Sequence, residues 1–255
     1  MAVPLPVAQA PPVIERPRTL STTTTGTALL AKATFPRSNF ACSFQPLKRS
    51  LRSNSIVSFS ASTTSPGIGA AESIVKSLEG VEVFDLSGNS VPIVDLWRDR
   101  KAVVAFARHF GCVLCRKRAD LLASKQDVMS SAGVALALIG PGSVEQARVF
   151  SEQTKFKGEI YADPNHSSYD ALEFAYGVSK TFTPAAGLKI IQSYMEGYRQ
   201  DWGLSFHKET RTRGGWQQGG ILVAGPGVTN IHYIHKDREA GDDPDIEEVL
   251  QACCA

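Results

Sequence analysis

The chain has 255 residues, of which 43% are hydrophobic, and its five cysteines are too few for a disulfide-stapled secreted scaffold. No run approaches the ~20 apolar residues that a membrane-spanning helix requires. The formal net charge of +2 is uneven: residues 1–65 hold seven basic residues and one acidic residue, which leaves 20 basic and 24 acidic residues in 66–255. The larger part is therefore mildly acidic, which argues against general nucleic-acid binding.

Residues 1–65 have the composition of an organelle targeting segment: rich in Ser and Thr, basic, and nearly free of acidic residues. They lack the apolar core of ~7–15 residues that a secretory signal contains. The Met-Ala start and the early prolines favour the chloroplast over the mitochondrion. We predict a disordered chloroplast transit peptide over 1–65, with a disordered tail that targets nothing as the alternative. Cleavage near Ile56–Ala61 would remove Cys42.

Periodicity begins at Pro66. We predict a helix over Ala70–Leu78 and a strand over Val81–Leu86. The segment Val91–Trp97 then leads into a central strand, Ala102–Ala107. The following helix is predicted to run from Cys112 to about Met129.

The middle of the chain alternates strands and helices. The continuous apolar run Val134–Ile139 indicates a strand buried on both faces. Ser143, with Gln146 three residues later, predicts a capping box on a helix that runs to about Gln153. The elements predicted next are a strand at Glu159–Ala162, a cap at Ser167, a helix at Tyr169–Tyr176 and a stop at Gly177.

Residues 178–218 are the least regular part of the sequence and hold a basic and aromatic set of side chains. This insertion could be a lid, a binding surface or packing over a sheet edge. A hairpin follows, with strands at Ile221–Ala224 and Val228–His235. A closing helix is predicted from Asp243-Pro244 to Cys253, with proline at its first position. The strand–helix alternation predicts an α/β domain with helices on both faces of the sheet.

The candidate chemistry lies in Cys112-Val113-Leu114-Cys115, directly after the central strand. Two cysteines three apart at a helix start share one face and are close enough to form a disulfide. The unpaired amides and positive dipole end of the helix favour a thiolate. The basic run Arg116–Arg118 adds positive charge and is predicted to form a solvated helix face.

The same two cysteines also fit two other interpretations: a buried structural pair, and a zinc pair. Structural zinc takes four ligands, and the chain has no second Cys-x-x-Cys. His232 and His235 are three apart in a predicted strand and would therefore point to opposite faces. We predict a redox dithiol and no metal site.

Four stretches carry a family resemblance: VVAFARHFGCVLCRKRADLL, VALALIGPGS, IYADPN and GGILVAGPGVTNIHYIHKD. They resemble the AhpC/TSA-type peroxiredoxin-like group, and more closely the plant chloroplast thioredoxin-like proteins with an AhpC/TSA antioxidant enzyme domain. The resemblance covers about Ser73 to Ala252. It implies a thioredoxin-like fold with a central mixed sheet. It also implies a thiol-dependent antioxidant oxidoreductase that reduces peroxides or disulfides through Cys112 and Cys115. No bound cofactor is expected, and a thioredoxin- or glutathione-type donor would recycle the dithiol.

The sequence departs from the family at the motif Pro-x-x-x-Thr-x-x-Cys. Its Thr and Cys positions correspond to Cys112 and Cys115, and its Pro position is Arg108. The arginine that stabilises the family's transition state falls near Gln218, with Arg213 the nearest arginine. A thioredoxin would have a cis-proline where this chain has Gly219-Gly220.

Several roles stay open from sequence. Thioredoxins attack with the first cysteine, and peroxiredoxins attack with the position that matches Cys115. His109 either assists deprotonation of Cys112 or is an ordinary polar turn residue. Cys253 and Cys254 are either C-terminal resolving residues or inert. The alternatives for function are a reductase of lipid endoperoxides or hydroperoxides, and a non-catalytic thioredoxin-like sensing or interaction module.

Overall fold

The computed structural model describes residues 66–154 and 156–254, so the targeting prediction for 1–65 lies outside the described residues. These residues form a seven-stranded mixed sheet in the order β2-β1-β5-β4-β3-β6-β7. Its strands are β1 (Glu82–Phe84), β2 (Ser90–Pro92), β3 (Lys101–Phe106), β4 (Val134–Gly140), β5 (Glu159–Ala162), β6 (Gly220–Ala224) and β7 (Ile231–Lys236). Strands β3, β4 and β5 are parallel, and the other pairings are antiparallel.

Helices cover both faces of this sheet, as predicted. They are α1 (Ile68–Leu78), α2 (Val113–Ser124), α3 (Gln126–Ser131), α4 (Val144–Gln153), α5 (Ser167–Ala171), α6 (Val178–Thr181), α7 (Pro184–Met195), α8 (Trp202–Ser205), α9 (Lys208–Thr212) and α10 (Ile246–Cys254). None of the described helices is long and apolar enough to cross a membrane.

The central strand β3 explains why there are two cores. Its side chains alternate, so Val103 and Ala105 join the core beneath α2, α4 and α10. Val104 and Phe106 join the opposite core, beneath α1 and α5. Because every residue from Ala102 to Phe106 is buried, this strand holds the loop that follows it in a fixed place.

The prediction of helix capping is correct at Ser143, where the two residues that bond to each other are close in sequence. The capping box is confirmed: Gln146 N–H bonds to the Ser143 hydroxyl, and the Gln146 side chain returns to Ser143 N–H. The helix predicted from Cys112 to Met129 is instead broken at Lys125 into α2 and α3. The apolar spacing continues across that break, so periodicity alone does not reveal it.

Two helix starts were placed wrongly. The Asp163 carboxylate, not Ser167, accepts the first amides of α5, from Ser167 at 3.0 Å and Ser168 at 2.8 Å. That helix ends at Ala171 rather than Tyr176. Pro244 is not the first helical residue either, because α10 begins at Ile246.

The segment predicted to be irregular, 178–218, is largely helical. It contains α6 to α9 and a short 3-10 turn at Gly214–Trp216. Thr183 caps α7 by accepting the Ala186 amide at 3.0 Å, and Asp201 caps α8 by accepting the Leu204 amide at 2.8 Å. Three of these helices have only four or five residues, so no long period marks them in the sequence.

Candidate active site

Cys112 is the N-cap residue of α2, with φ −69° and ψ 125°. Its carbonyl accepts the first helical bond, from Arg116 N–H at 3.0 Å. The preceding loop is fixed by Tyr169, whose hydroxyl donates to the carbonyls of Ala107 at 2.7 Å and Ile139 at 3.0 Å. The thiol of Cys112 therefore lies at the positive end of a twelve-residue helix on a rigid support.

Arg108 is a cation that contacts Cys112, and its side chain is buried. Its Nη1 lies 3.5 Å from Cys112 Sγ. The other guanidinium hydrogen bonds, each 3.1 Å long, go to the Gln217 carbonyl, the Gly215 carbonyl and the Thr181 hydroxyl. Within the described ranges, no carboxylate lies within 4.0 Å of Arg108. A thiolate at Cys112 is thus its charge partner.

The surroundings shift the pKa values of the two thiols in opposite directions. A hydrogen bond from the Cys115 thiol lowers the pKa of Cys112 well below its usual value, and the Arg108 charge adds to this against the effect of burial. Burial, and its role as donor to Cys112, raise the pKa of Cys115. Cys115 Sγ also accepts the Arg108 amide at 3.1 Å. The electrostatics therefore favour a thiolate at Cys112 and a protonated thiol at Cys115.

A cavity of about 430 Å³ opens onto Cys112. Arg108 and His109 line it beside Cys112, whereas Cys115 does not reach it. The opposite wall is mostly apolar and belongs to the 178–216 region; its large side chains are Phe182, Ile190, Tyr194, Trp202, Phe206 and Trp216. Of the two cysteines, only Cys112 can meet a molecule in this cavity.

The helical segment, residues 178–218, is attached by hydrogen bonds to the loop that carries Cys112. The Gln200 side-chain oxygen accepts the Val113 amide at 2.9 Å, which satisfies one of the unpaired donors at the start of α2. Asp201 N–H donates to the Gly111 carbonyl at 3.0 Å. A Cβ at Gly111 would lie 2.5 Å from Ser205 Oγ and 2.7 Å from the Asp201 carbonyl oxygen, so glycine permits this close approach.

The structure places the predicted auxiliary residues as follows. His109 lines the cavity, but burial lowers its pKa to about 4, so it is neutral at physiological pH. Gln218 lies next to the site: its Nε2 donates to the Thr181 hydroxyl at 3.1 Å, the same oxygen that Arg108 binds. Arg213 is not brought to the dithiol, because its guanidinium pairs with Asp170 and donates to the Asn165 carbonyl at 3.2 Å.

The prediction that Arg116–Arg118 form a solvated face is wrong for two of the three. Arg116 lies over the Phe150 ring, 5.7 Å from its centroid, and contacts Asp201 at 3.5 Å. Arg118 is buried and pairs with Asp237 at 2.9 Å and with Asp243. Lys117 stays partly exposed and pairs with Glu196 at 2.7 Å.

The remaining candidate residues, two histidines and two cysteines, lie outside this cavity. His235 is buried and His232 is not, as strand alternation predicts, and their ring nitrogens contact different backbone carbonyls, of Asp242 and Gly225. Cys253 and Cys254 have sulfurs 3.1 Å apart at the end of α10, and neither lines the cavity.

Sequence reasoning missed Arg108, Thr181 and Gln200. In the sequence, Arg108 is marked only as the residue at the family's proline position, which does not show that its side chain reaches Cys112. Thr181 binds Arg108 and Gln200 binds the Val113 amide from positions more than 65 residues further along the chain, where no local pattern marks them.

A buried Cys-x-x-Cys at the start of a helix, directly after the central strand of a mixed sheet, defines a thioredoxin-like redox protein. Residues 121–239, which begin shortly after the dithiol, match the family model "AhpC/TSA antioxidant enzyme". The chain is 68% identical over 206 residues to "Thioredoxin-like protein AAED1, chloroplastic" of Arabidopsis thaliana, covering 81% of this chain and 83% of the relative. This chain therefore belongs to the AhpC/TSA antioxidant enzyme family, among its peroxiredoxin-like members.

More distant relatives carry two other names. Human "Peroxiredoxin-like 2C" is 32% identical over 190 residues, covering 72% of this chain and 82% of the relative. "Prostamide/prostaglandin F synthase" of Salmo salar is 30% identical over 168 residues, covering 66% of this chain and 81% of the relative. Among solved structures, peroxidoxin BcpB from Mycobacterium tuberculosis aligns with 12% identity and a TM-score of 0.45, over 68% of this chain and 88% of that one.

Proposed function

We propose that this oxidoreductase reduces a peroxide or a disulfide with Cys112 as the attacking thiolate and Cys115 as the resolving thiol. One observation carries the proposal: Cys112, and not Cys115, lines the cavity, and it does so beside the buried guanidinium of Arg108. This proposed order of attack is that of thioredoxins; the alternative left open by the sequence is the peroxiredoxin order, with Cys115 attacking.

The chemistry balances within the site when a peroxide enters. The Cys112 thiolate attacks the nearer peroxide oxygen, the O–O bond breaks, and the leaving alkoxide takes a proton from solvent to give an alcohol and a Cys112 sulfenic acid. The Cys115 sulfur then attacks the Cys112 sulfur, with loss of water, and forms the Cys112–Cys115 disulfide. Arg108 Nη1 is placed to donate to the thiolate and to the oxygen on which charge develops.

Recycling requires two electrons from outside the chain. We infer an external dithiol or thiol donor of thioredoxin or glutathione type, and no bound cofactor. The compartment proposed is the chloroplast: residues 1–65 have a targeting composition, and a relative 68% identical is named as chloroplastic.

A second candidate substrate class is organic peroxide, including lipid hydroperoxides and endoperoxides. The mostly apolar cavity wall favours it, because hydrogen peroxide needs no such surface. A relative named as a prostamide/prostaglandin F synthase supports the same substrate class.

The decisive experiment compares Cys112→Ser with Cys115→Ser in a coupled peroxidase assay and by mass spectrometry after one equivalent of peroxide. We expect Cys112→Ser to abolish both turnover and oxidation. Cys115→Ser should still form one sulfenic acid, trappable at Cys112, but should turn over poorly. If Cys115 is oxidised in Cys112→Ser at the wild-type rate, the order of attack is reversed. If wild-type turnover equals that of free cysteine, the chain is a non-catalytic module.

A further inference from the structure

The helical segment that walls the cavity also carries an exposed apolar surface. Three of its aromatic rings line the cavity and are nonetheless mostly open to solvent: Phe182 is 69% exposed, Trp202 60% and Phe206 63%. Trp202 and Phe206 stack on each other with their centroids 5.6 Å apart. Side chains of this size normally bury most of their area, so the rim of the cavity is an unsatisfied apolar edge.

Helix α7 extends this edge with a second feature. Leu188, Ile191 and Met195 follow the i, i+3, i+7 spacing of one helix face, and they are 70%, 60% and 84% exposed. At 100° per residue this stripe adjoins the side of α7 from which Ile190 and Tyr194 line the cavity. We call the stripe and the three rim aromatics the apolar rim.

The charge around the apolar rim differs from that of the rest of the domain. Residues 178–218 contain six basic and three acidic residues, whereas the other residues of 66–255 contain 14 basic and 21 acidic. Two of the three acids, Glu196 and Asp201, are already paired with Lys117 and Arg116 of α2.

Several exposed cations of this segment remain for an external partner. In the part of the chain that the structure describes, no carboxylate lies within 4.0 Å of the charged groups of Lys180, Lys208 and Arg211. A surface that combines exposed Trp, Phe and aliphatic side chains with unneutralised Lys and Arg is complementary to an anionic lipid interface, where rings and methyl groups enter the acyl boundary and cations meet headgroups.

We propose that the apolar rim docks on the surface of a bilayer containing anionic lipid, with the mouth of the Cys112 cavity at the headgroup–acyl boundary. Docking depends on the rim and its cations and not on the dithiol, so it stands apart from the chemistry proposed above. Its consequence for that chemistry is access: an oxidised acyl chain can pass from the membrane into the cavity without crossing water.

Trp202 gives a site-specific test in the full-length chain. The chain has three tryptophans, Trp97, Trp202 and Trp216, and none lies in the basic residues 1–65, so fluorescence reports the rim rather than the amino-terminal segment. We expect a blue shift, and quenching by spin-labelled lipid, with vesicles of phosphatidylcholine and phosphatidylglycerol. Both signals should weaken at high salt and fall strongly in Trp202→Phe, where the remaining response comes from Trp216, which also lines the cavity.

Matched variants distinguish vesicle binding through the apolar rim from nonspecific hydrophobic adsorption. The double variant Leu188→Ser/Met195→Ser should weaken partitioning by about tenfold or more, while Trp202 remains as the probe. Leu121→Ser/Val128→Ser, which changes two exposed apolar residues on α2 and α3, should bind like the wild type. Cys112→Ser should also bind like the wild type, and Leu188→Ser/Met195→Ser should keep its rate with hydrogen peroxide.

Three results would overturn the proposal. Sedimentation with vesicles and no quenching of Trp202 would assign binding to another part of the chain. Equal quenching with pure phosphatidylcholine would remove the role of charge. A blue shift that grows with protein concentration in the absence of lipid would assign the rim to a second copy of the chain. Each leaves the peroxide assay unaffected, so failure of docking is distinguishable from failure of the proposed reaction.

Discussion

Arg108 occupies the position of the family's motif proline, and it supplies a charge that proline lacks. Arginine stays protonated at any physiological pH, so a buried guanidinium without a carboxylate partner among the described residues needs an anion. The Cys112 sulfur, 3.5 Å away, becomes that anion by losing its proton. In the reaction proposed above, the same cation, which together with the Cys115 hydrogen bond lowers the pKa of Cys112, stabilises charge on the departing oxygen.

Arg108→Ala should therefore raise the pKa of Cys112 and lower kcat/KM with peroxide by about a hundredfold, the cost typical of removing one donor to a developing oxyanion. The pKa is measured by thiolate absorbance against pH and by the pH dependence of alkylation. Arg108→Lys, which keeps the charge, should recover part of both effects and controls for misfolding.

Arg213→Ala is the matched control for Arg108→Ala. Because Arg213 pairs with Asp170 and does not line the cavity, its removal should change neither the pKa of Cys112 nor kcat/KM. If Arg213→Ala is as damaging as Arg108→Ala, the arginine assignment made from the sequence is right and the one made from the structure is wrong.

The residues at the site divide into those that sequence can predict and those that it cannot. Cys112 and Cys115 are predictable because strand, helix start and spacing are all local. The difference between them is not, because it depends on which sulfur lines a cavity built from residues about 70 to 100 positions away. His109 was a reasonable candidate from its spacing, but burial keeps it neutral.

Helix α2 is held at its start and at its middle. Its start is capped by Gln200 from the helical segment. Its middle is fixed to the hairpin by Arg118, which bonds both oxygens of the buried Asp237 carboxylate at 2.9 Å. Sequence showed the strands and the hairpin because apolar runs and turn residues are local signals. It gave no sign that one member of a basic run turns inward, because the partner lies 119 residues away.

Arg118→Met should lower the free energy of unfolding by about 3 kcal/mol, because it leaves Asp237 buried without its partner. Burial already raises the pKa of Asp237 to about 6 beside Arg118, and loss of the cation raises it further. The folded variant then binds a proton that the unfolded chain, with an Asp pKa of ~3.9, releases. Its deficit should therefore be larger at pH 8 than at pH 5 in denaturant titrations.

Lys117→Met is the matched control on the neighbouring residue. Its ion pair with Glu196 is partly exposed, and such pairs contribute about 0–1 kcal/mol. A second comparison is Arg118→Met/Asp237→Leu, which removes both charges and should be less destabilising than Arg118→Met alone. If the single and double variants unfold alike at every pH, the buried pair does not hold α2 to the hairpin.

The cavity exists only because the helical segment closes over the loop that carries Cys112. A loop at the carboxyl end of β3 contributes Cys112 and Arg108, and the segment some 70 to 100 residues later contributes most of the apolar wall. The sequence left three roles open for that segment, and the structure makes it the wall of a binding cavity. We therefore expect substrate preference to depend on this closure rather than on the Cys-x-x-Cys motif.

This closure leads to a prediction about peroxide size. Bulky organic hydroperoxides should have a higher kcat/KM than hydrogen peroxide, because the apolar wall contributes binding energy that only they can use. Ile190→Trp should fill part of the cavity and reduce kcat/KM for cumene hydroperoxide by about tenfold or more through displacement from Cys112. Hydrogen peroxide, which needs little of that volume, should react at nearly the wild-type rate.

Ile234→Trp supplies the control, because Ile234 is likewise a half-buried isoleucine but packs against the core on the opposite face of the sheet. The Ile234→Trp variant should keep the wild-type ratio of kcat/KM for cumene hydroperoxide to kcat/KM for hydrogen peroxide, even if it lowers stability. A wild-type enzyme that handles both peroxides equally, or an Ile190→Trp that slows both equally, would mean that the wall does not select the substrate. The apolar side chains would then serve only to cover the dithiol, and the reason to expect a lipid-derived peroxide at this site would be gone.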